Sequence, residues 1–405
     1  MSVLRTSSDR VLLAVALAGA LWAAHLTVPR LERGTSGGVA LVDRPAGAYA
    51  IDGDPVDLGT GLFVREDDDL AVSGPPPIRV RRTYRSNDPR PRAFGIGTSH
   101  LYDRFLVGDA TGYAWVAMIL PDGGRIDYIR VSPGTGQADA VLEHTSSPTE
   151  YYKSRLAWNG KGWHVTLQDG QRYAFSACDA KSRCALIEYR DREGRALTMS
   201  RDAAGDLTGI TARGGGGIRL ANDAAHRITR ANMAADSAHV VTYHYDAQGR
   251  LIKMQKRGGA LLVVKEYTYD EAHRMLTVNE PGFRLTNTYD QGGRVIGQDT
   301  STRQPFRFRY VLDKQGKISQ TDVTYPDGSL RRVAFNAQGY AATETYAPGT
   351  PNERTIVYER EVGSNRVRTI TLSCAVGGRS QKMSASVGAA DTVDGIRSEL
   401  LARCR

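Results

Sequence analysis

The segment YTYDEAHRMLTVN, residues 267–279, gathers side chains that enzymes use for acid–base chemistry. Tyr267, Asp270, His273 and Arg274 lie within eight residues of one another, and such groups can transfer protons or stabilise negative charge. The pattern is not unique, however. An aspartate followed four positions later by a basic residue recurs at Asp246, Asp270, Asp290 and Asp313, with spacings of 24, 20 and 23 residues. A unit recurring at this interval indicates a repeat architecture.

Each repeat predicts a β-hairpin. Tyr267 and Tyr269 are two residues apart and share one face of a strand, and Met275 begins the next strand. Weaker copies carry Asp191, Asp202, Asp223 and Asn336. Because a single hairpin is marginal in water, successive hairpins are expected to pair into a continuous sheet.

The aspartates are interpreted as turn residues. In a type I turn the carboxylate accepts backbone N–H bonds, and a glycine supplies the left-handed residue that follows. The predicted turn residues are Asp191, Asp246, Gly249, Asp270, Asp290, Gly293, Asp313 and Gly316. His226 and His273 take the glycine position in their copies. The basic residue after each turn is expected to be a solvated or cross-strand charge.

Tyrosines are expected to tile one face of the sheet and to offer contacts suited to a protein or carbohydrate partner. The residues assigned to this face are Tyr243, Tyr245, Tyr267, Tyr269 and Tyr289. The whole chain has 43 glycines and 19 tyrosines but only eight phenylalanines and four tryptophans. That composition favours many short strands joined by tight turns, so we predict an all-β fold.

No catalytic, cofactor or metal site is predicted. The chain has no Gly-x-Ser-x-Gly elbow, and one aspartate per repeat places the carboxylates whole hairpins apart. His239 and His244 are an odd number of residues apart, which puts them on opposite faces of a strand. The acidic run 66–69 lacks calcium-loop spacing and is expected to form a solvated turn.

The net charge of +9 does not by itself predict nucleic-acid binding. Lys and Arg are dispersed, and the densest run, Arg79, Arg81, Arg82 and Arg85, alternates between the faces of a predicted strand. We expect a solvated strand edge there, and no nucleic-acid partner.

The first 28 residues predict export. Basic residues precede the apolar stretch VLLAVALAGALWAAHLTV at 11–28, and Ala18-Gly19-Ala20 could serve as a cleavage site. Two alternatives remain open: a cleaved signal, giving a periplasmic or secreted protein, or an anchor in the inner membrane formed by residues 11–28. Four cysteines suit an oxidising compartment, and the expected pairing is Cys178 with Cys184 and Cys374 with Cys404.

The YxYD segments followed by xxGR resemble the tyrosine-aspartate (YD) repeats of the rearrangement hotspot (Rhs) family, which also occur in teneurins and bacterial toxin-complex subunits. Residues 53–106 resemble the domain of unknown function that precedes these repeats. The resemblance implies a strip of β-sheet that spirals into a shell, which in complete members encloses a C-terminal toxin. Those members carry an Asp-Pro-x-Gly-Leu core, whereas Asp54-Pro55 and Asp88-Pro89 lie at the opposite end of this chain. Self-cleavage and an enclosed toxin are therefore not expected, and the shell is expected to be open or partial.

The C-terminal region predicts a strand through 366–376 and then a short amphipathic helix with Asp391 as N-cap. A disulfide to Cys374 would hold this tail as a cap over the last sheet edge, or the helix would dock a partner.

The predicted organisation is a signal or anchor (1–28), a linker (29–52), an Rhs N-terminal-type β domain (53–184), a YD-repeat array (185–346) and a C-terminal cap (347–405). The predicted function is an exported, non-catalytic scaffold or shell that binds or encloses a protein, such as a separately encoded toxin or secretion component. The alternatives are an envelope or cell-surface module that binds carbohydrate or cells, and an enzyme with an unrecognised site.

Overall fold

The computed structural model describes residues 46–47, 50–109, 111–178, 183–236, 238–376, 379–388 and 391–404. The predicted export segment, residues 1–28, lies outside these ranges, as does most of the predicted linker. Within the described ranges, no helix has both the length and the apolar character needed to cross a bilayer. The described residues from Ala46 onward lie in one compact unit.

The N-terminal part forms short strands around one long hairpin. The strands are β1 (Ile51–Asp52), β2 (Val56–Asp57), β3 (Leu62–Val72), β4 (Ile78–Arg85), β5 (Pro91–Arg92), β6 (Gly95–Ile96) and β7 (Thr98–His100). Strands β1, β2, β3, β4 and β7 pair in that order, and β5 pairs with β6. The β3–β4 hairpin is the longest element of this part of the chain, which we call the N-terminal segment (residues 46–102).

The next eight strands close into a ring. They are β8 (Phe105–Gly108), β9 (Trp115–Ile119), β10 (Arg125–Arg130), β11 (Val141–Glu143), β12 (Arg155–Trp158), β13 (Trp163–Thr166), β14 (Arg172–Phe175) and β15 (Cys184–Arg190). Each pairs antiparallel with the next. Closure occurs where Cys184 and Ala185 of β15 pair with Leu106 and Phe105 of β8.

From β15 the sheet continues as a strip, because the later residues of that strand pair with β16. The strands of the strip are β16 (Ala196–Arg201), β17 (Leu207–Ala212), β18 (Gly217–Asn222), β19 (Ile228–Met233), β20 (Val240–Tyr245), β21 (Leu251–Gly258), β22 (Leu261–Tyr269), β23 (Met275–Glu280), β24 (Phe283–Tyr289), β25 (Val295–Thr300), β26 (Phe306–Leu312), β27 (Ile318–Thr324), β28 (Leu330–Phe335), β29 (Ala341–Tyr346), β30 (Arg354–Arg360), β31 (Val367–Val376) and β32 (Arg379–Ser386). Consecutive strands pair antiparallel throughout. The predicted all-β fold of tandem hairpins is confirmed.

The core lies between the strip and the N-terminal segment. One hydrophobic cluster includes Leu58, Phe63 and Phe94 together with residues of the strip as far as Val333. The Phe94 ring centroid lies 4.8 Å from that of Tyr243. Alternation sends one face of every strand inward, and residues 46–102 run along that inner face. The interior of the partial shell is therefore filled by the chain itself.

The C-terminal region has its own smaller core. Helix α1 (Val393–Ala402) packs Leu400 against Ile370 and Leu372 of β31, and Cys374 is bonded to Cys404. The prediction of Asp391 as N-cap is wrong: Thr392 caps the helix, since its Oγ1 accepts the N–H of Gly395 at 3.1 Å.

Strand β32 was not expected from the sequence. It has mostly exposed side chains, so its sequence lacks the apolar alternation that marks a half-buried strand. The helix packs on the face of the sheet, against residues of β31 and β32. The last strand of the sheet is β32 rather than β31, and the expectation that the tail caps the last sheet edge stays a prediction.

Candidate functional site

The aspartate turns determine which side chains of each hairpin lie on the inner face of the strip. Asp270 Oδ1 accepts the N–H groups of Ala272 at 3.0 Å and Arg274 at 2.8 Å, and His273 between them has φ +64°. The other predicted turn aspartates lie in equivalent turns, in which Asp191, Asp246, Asp290 and Asp313 accept the N–H group four residues later. Gly249, Gly293 and Gly316 have φ between +77° and +86°. These turns fix the register of each hairpin.

The arginine after each turn contacts the next repeat. Arg274 Nε donates to Asp270 Oδ2 at 2.6 Å, and its guanidinium carbon lies 5.0 Å from the ring centroid of Tyr289. The same arrangement joins Arg227 to Tyr245 at 4.5 Å, Arg250 to Tyr269 at 5.4 Å and Arg294 to Tyr310 at 5.9 Å. Each of these arginines pairs with the aspartate across its own turn, as expected of a cross-strand charge, but its contact with a tyrosine was not predicted. We call this series the arginine–tyrosine ladder.

The tyrosines of the ladder also bond to backbone in the preceding repeat. Tyr269 Oη donates to the carbonyl of Leu251 at 2.7 Å, and Tyr289 Oη donates to that of Met275 at 2.8 Å. Tyr245 Oη makes the same bond to Ile228. Burial raises the pKa of each of these phenols, which keeps them protonated as donors. Each repeat is thus held to its neighbour by a hydrogen bond and a cation–π contact in addition to strand pairing.

The other tyrosine of the repeat points at the N-terminal segment. Tyr243 and Tyr267 are only 3% and 2% exposed. Tyr243 Oη donates to Asp69 Oδ2 at 2.8 Å, and Arg82 Nη2 donates to Tyr267 Oη at 3.1 Å. The chain's own hairpin covers Tyr243 and Tyr267, whereas Tyr245, Tyr269 and Tyr289 are partly exposed. The prediction that this face offers contacts to an outside partner is therefore wrong for Tyr243 and Tyr267.

Asp69 and Arg82 belong to a buried charge cluster, which comprises Arg65, Asp67, Asp69, Arg82, Lys265 and Glu280. Three cations face three anions, so the charges balance. Burial alone would raise the pKa of Asp67, but Arg82, Arg65 and Lys265 hold it well below its usual range. The carboxylate therefore stays ionised.

The acidic run 66–69 lies within β3, and its expected solvated turn is wrong. Asp67 pairs with Arg82 in register, and Asp68 pairs with Arg81. The sequence did contain a signal for this hairpin, namely an acidic run and a basic run separated by one turn. Cross-strand neighbours of opposite charge stabilise a hairpin. Alternation then sends Arg82 and Asp69 into the core and leaves Arg79 and Arg81 outside.

The clefts between the N-terminal segment and the strip are small. One of about 430 Å³ is bounded by Gly59, Arg294 and Phe335, and another of about 390 Å³ is bounded by Arg92, His100 and Arg201. Clefts of this size accommodate small molecules rather than a folded protein. Within the described residues, no group of three or more His, Cys, Asp or Glu side chains is placed to hold a metal ion.

The predicted disulfide partners are bonded. Cys178 joins Cys184 at the start of β15, next to the point where the ring closes, and Cys374 joins Cys404 beyond helix α1. Neither pair lies on the inner face of the strip.

Comparison with known proteins agrees with this architecture. Residues 209–358 match the family model described as Teneurin YD-shell, and residues 53–128 match the model of a domain of unknown function, DUF6531. The recognition of a YD-repeat protein of the Rhs type is thereby confirmed. The first of these regions contains the arginine–tyrosine ladder, and the second contains the β3–β4 hairpin.

A curated relative is the Double-stranded DNA deaminase toxin A of Burkholderia cenocepacia (strain H111). It is 25% identical over 300 residues, which cover 71% of this chain and 20% of the relative. This chain therefore spans about a fifth of the length of that relative.

Among solved structures, the chain is similar to the Tc holotoxin pore of Photorhabdus luminescens. The identity is 11% and the TM-score 0.30, covering 82% of this chain and 21% of the other. It is also similar to a TcdB2-TccC3-Cdc42 structure, with 12% identity, a TM-score of 0.31, and coverage of 82% of this chain and 20% of the other.

Proposed function

We propose that this YD-repeat chain is an exported, non-catalytic scaffold that binds a separately encoded protein partner along the edge of its strip and does not enclose it. The observation that carries the proposal is the occupied inner face. Tyr243 and Tyr267 are covered by the β3–β4 hairpin, so no chamber remains there for a second protein. A partner would have to engage the outside of the strip.

The edge of β32 supports that location. In the described part of the chain, β32 pairs with β31 alone, so the backbone groups along its other edge are open to a further strand. Its eight side chains are either small or long and unbranched, and most of them are exposed. Addition of a strand to such an edge is a common way in which proteins bind extended segments of partners.

The relative named as a toxin supports a link to toxin delivery. Since the matched region covers a fifth of that protein, its own activity is not carried to this chain. We propose a toxin or a secretion component as the partner, encoded apart from this chain. The export of the chain, to the periplasm or beyond, belongs to the same proposal and is consistent with its two disulfides.

The test is native purification of the full chain from its host, followed by mass measurement of the complex. We expect a stoichiometric protein partner in the exported fraction. Recovery of a homodimer, or retention on cell-wall or glycan matrices without a partner, would contradict the proposal and favour a second copy or the envelope-binding alternative.

A matched pair of variants locates the contact. Successive residues of an antiparallel strand point their N–H groups to opposite edges, so Gln381→Pro and Lys382→Pro remove N–H groups from different edges. The variant that keeps the wild-type melting temperature is the one whose N–H points away from β31. We expect this variant to lose the partner, and partner binding at the wild-type level would exclude β32 as the contact.

A further inference from the structure

A pocket lies at one mouth of the eight-stranded ring, away from the inner face of the strip. It has a volume of about 310 Å³, within the range of small-molecule sites. Its walls include Tyr113, Trp158 and Trp163, and the Cys178–Cys184 disulfide lies at its rim. Mouths of closed strand rings are frequent ligand sites.

The three aromatic rings are inclined to one another. The Trp158 and Trp163 centroids are 5.5 Å apart with planes at 69°, and the Tyr113 and Trp163 centroids are 5.7 Å apart with planes at 43°. Rings that meet at such angles present their faces from different directions. Flat sugar rings stack on a single open aromatic face, whereas a compact cation can contact several inclined faces at once.

Tyr113 is held in place by a strained backbone. Its φ of +48° lies in the left-handed region, which is unfavourable for a bulky side chain. Asp109 accepts the N–H groups of Thr111 at 2.9 Å, Gly112 at 3.2 Å and Ala114 at 3.3 Å. These bonds on both sides of Tyr113 fix a conformation that places its ring on the pocket. Strain of this kind is concentrated at ligand sites.

The charge of the pocket is opposite to that of the protein. Among the lining residues that the structure describes, Asp109 is the one with a formal charge, while the chain as a whole carries +9. Gln137 is the other polar side chain on the walls. Asp109 accepts hydrogen bonds from the Thr111 hydroxyl and from the N–H groups of Thr111, Gly112 and Ala114, and these bonds lower its pKa to about 2, so the carboxylate is ionised at neutral pH. The pocket thus combines aromatic faces with one negative charge and offers few donors for a polyhydroxylated ligand.

We propose that this pocket binds a small organic cation of the alkyl- or quaternary-ammonium class. The partly exposed rings of Tyr113 and Trp158 contact the alkylated nitrogen, the buried Trp163 holds both rings in place, and Asp109 supplies the countercharge. The attraction combines cation–π contacts with burial of the methyl groups. The site is independent of β32, so it stands or falls separately from the proposed partner binding.

The test uses choline and tetramethylammonium as probes on the full, disulfide-bonded chain at neutral pH. Binding is measured by calorimetry and by tryptophan fluorescence. The decisive comparison is with the neutral alcohol in which a tert-butyl group replaces the trimethylammonium group of choline, because it has nearly the same shape without the charge. We expect choline to bind at least about tenfold more tightly than this alcohol, since a desolvated cation–π contact contributes roughly that factor.

Variants then locate the site. Trp158→Leu is expected to weaken choline binding about tenfold, and Asp109→Asn, which keeps an oxygen acceptor for the turn, is expected to weaken it by a smaller factor. Trp115→Phe is the control, because Trp115 lies on β9 against Arg125 and outside the pocket. Equal affinity for choline and the neutral alcohol would overturn the proposal even if no variant folds. Absence of binding by both cations, or binding of neutral hexoses alone, would also overturn it.

Discussion

Arg82 and Asp69 form an ion pair in the interior of the β3–β4 hairpin, with Arg82 Nε 2.5 Å from Asp69 Oδ2. Their side chains are 3% and 1% exposed. Tyr243 of β20 donates to the same aspartate oxygen, and Tyr267 of β22 accepts from the same guanidinium. The N-terminal segment and the repeat strip are therefore joined by buried polar contacts as well as by apolar packing.

The first prediction concerns this pair. Arg82→Met should lower the free energy of unfolding by about 3 to 5 kcal/mol, because it leaves the buried Asp69 carboxylate without its cation. Urea denaturation followed by circular dichroism at neutral pH measures the loss. Arg79→Met is the control: Arg79 is 45% exposed and pairs with Asp68 at the surface, so its loss should cost under about 1 kcal/mol.

A double variant separates charge from volume. Arg82→Met combined with Asp69→Leu should recover much of the lost stability, because replacing both members of a buried pair by apolar residues removes the unpaired charge. A single variant as stable as wild type would show that the pair does not join the two parts of the chain. A double variant as unstable as the single one would assign the loss to packing.

The period of the repeats was sufficient to predict the hairpins and their turns. Asp270 and His273 stand at the start and at the left-handed position of one turn, as their spacing and residue types indicate. What the tyrosines contact could not be predicted in this way. Tyr243 and Asp69 are 174 positions apart, and local periodicity contains no information about which distant hairpin covers a face.

The second prediction concerns the arginine–tyrosine ladder. Arg274→Ala should lower the free energy of unfolding by about 1 to 2 kcal/mol, because it removes a partly buried cation–π contact with Tyr289 and the bond to Asp270. Lys317→Ala is the matched control, since Lys317 holds the equivalent position of a later repeat and is exposed. Thermal unfolding of both variants provides the comparison. Equal losses would mean that the ladder contributes no more than an exposed repeat charge does.

The third prediction concerns the left-handed turn position. Gly316 has φ +77°, and a Cβ added there would meet no atom within 4 Å. Gly316→Ala should therefore cost about 1 kcal/mol from backbone strain alone, and Gly316→Asn less, because asparagine tolerates this region. Gly216→Ala, at a glycine outside the left-handed region, is the control and should be nearly neutral. Denaturant midpoints that put Gly316→Ala level with this control would show that the turn adjusts its backbone.

The C-terminal region contains one element that the residue pattern predicts and one that it does not. Val393, Ile396, Leu400 and Leu401 predict the helix through their spacing, and α1 is present. Strand β32 has no such pattern, because neither of its faces is well buried. Its conformation follows from pairing with β31, so it depends on a neighbouring strand rather than on its own side chains.

The fourth prediction concerns His100, which is 5% exposed. Burial lowers its pKa from 6.5 to about 4, against the opposing effect of Asp103, and its Nδ1 accepts the N–H of Tyr102 at 3.0 Å. The folded protein therefore holds a neutral imidazole, whereas the unfolded chain takes up a proton below its higher pKa. Stability is complete above pH 6.5 and falls as the pH drops towards 4, by up to roughly 3 kcal/mol from this group.

His100→Asn keeps an acceptor for the Tyr102 N–H and removes the titrating ring, so its unfolding free energy should fall less steeply over that pH interval. His226→Asn is the control with the opposite sign. Asp206 raises the pKa of the exposed His226, so any stabilisation by this pair is present at low pH and is lost as the pH rises through the raised pKa. Replacing His226 therefore cannot make the stability of the protein less sensitive to acid. If His100→Asn retained the full wild-type slope, the acid response would have to be assigned to other buried groups, such as His144, whose pKa is also lowered by burial.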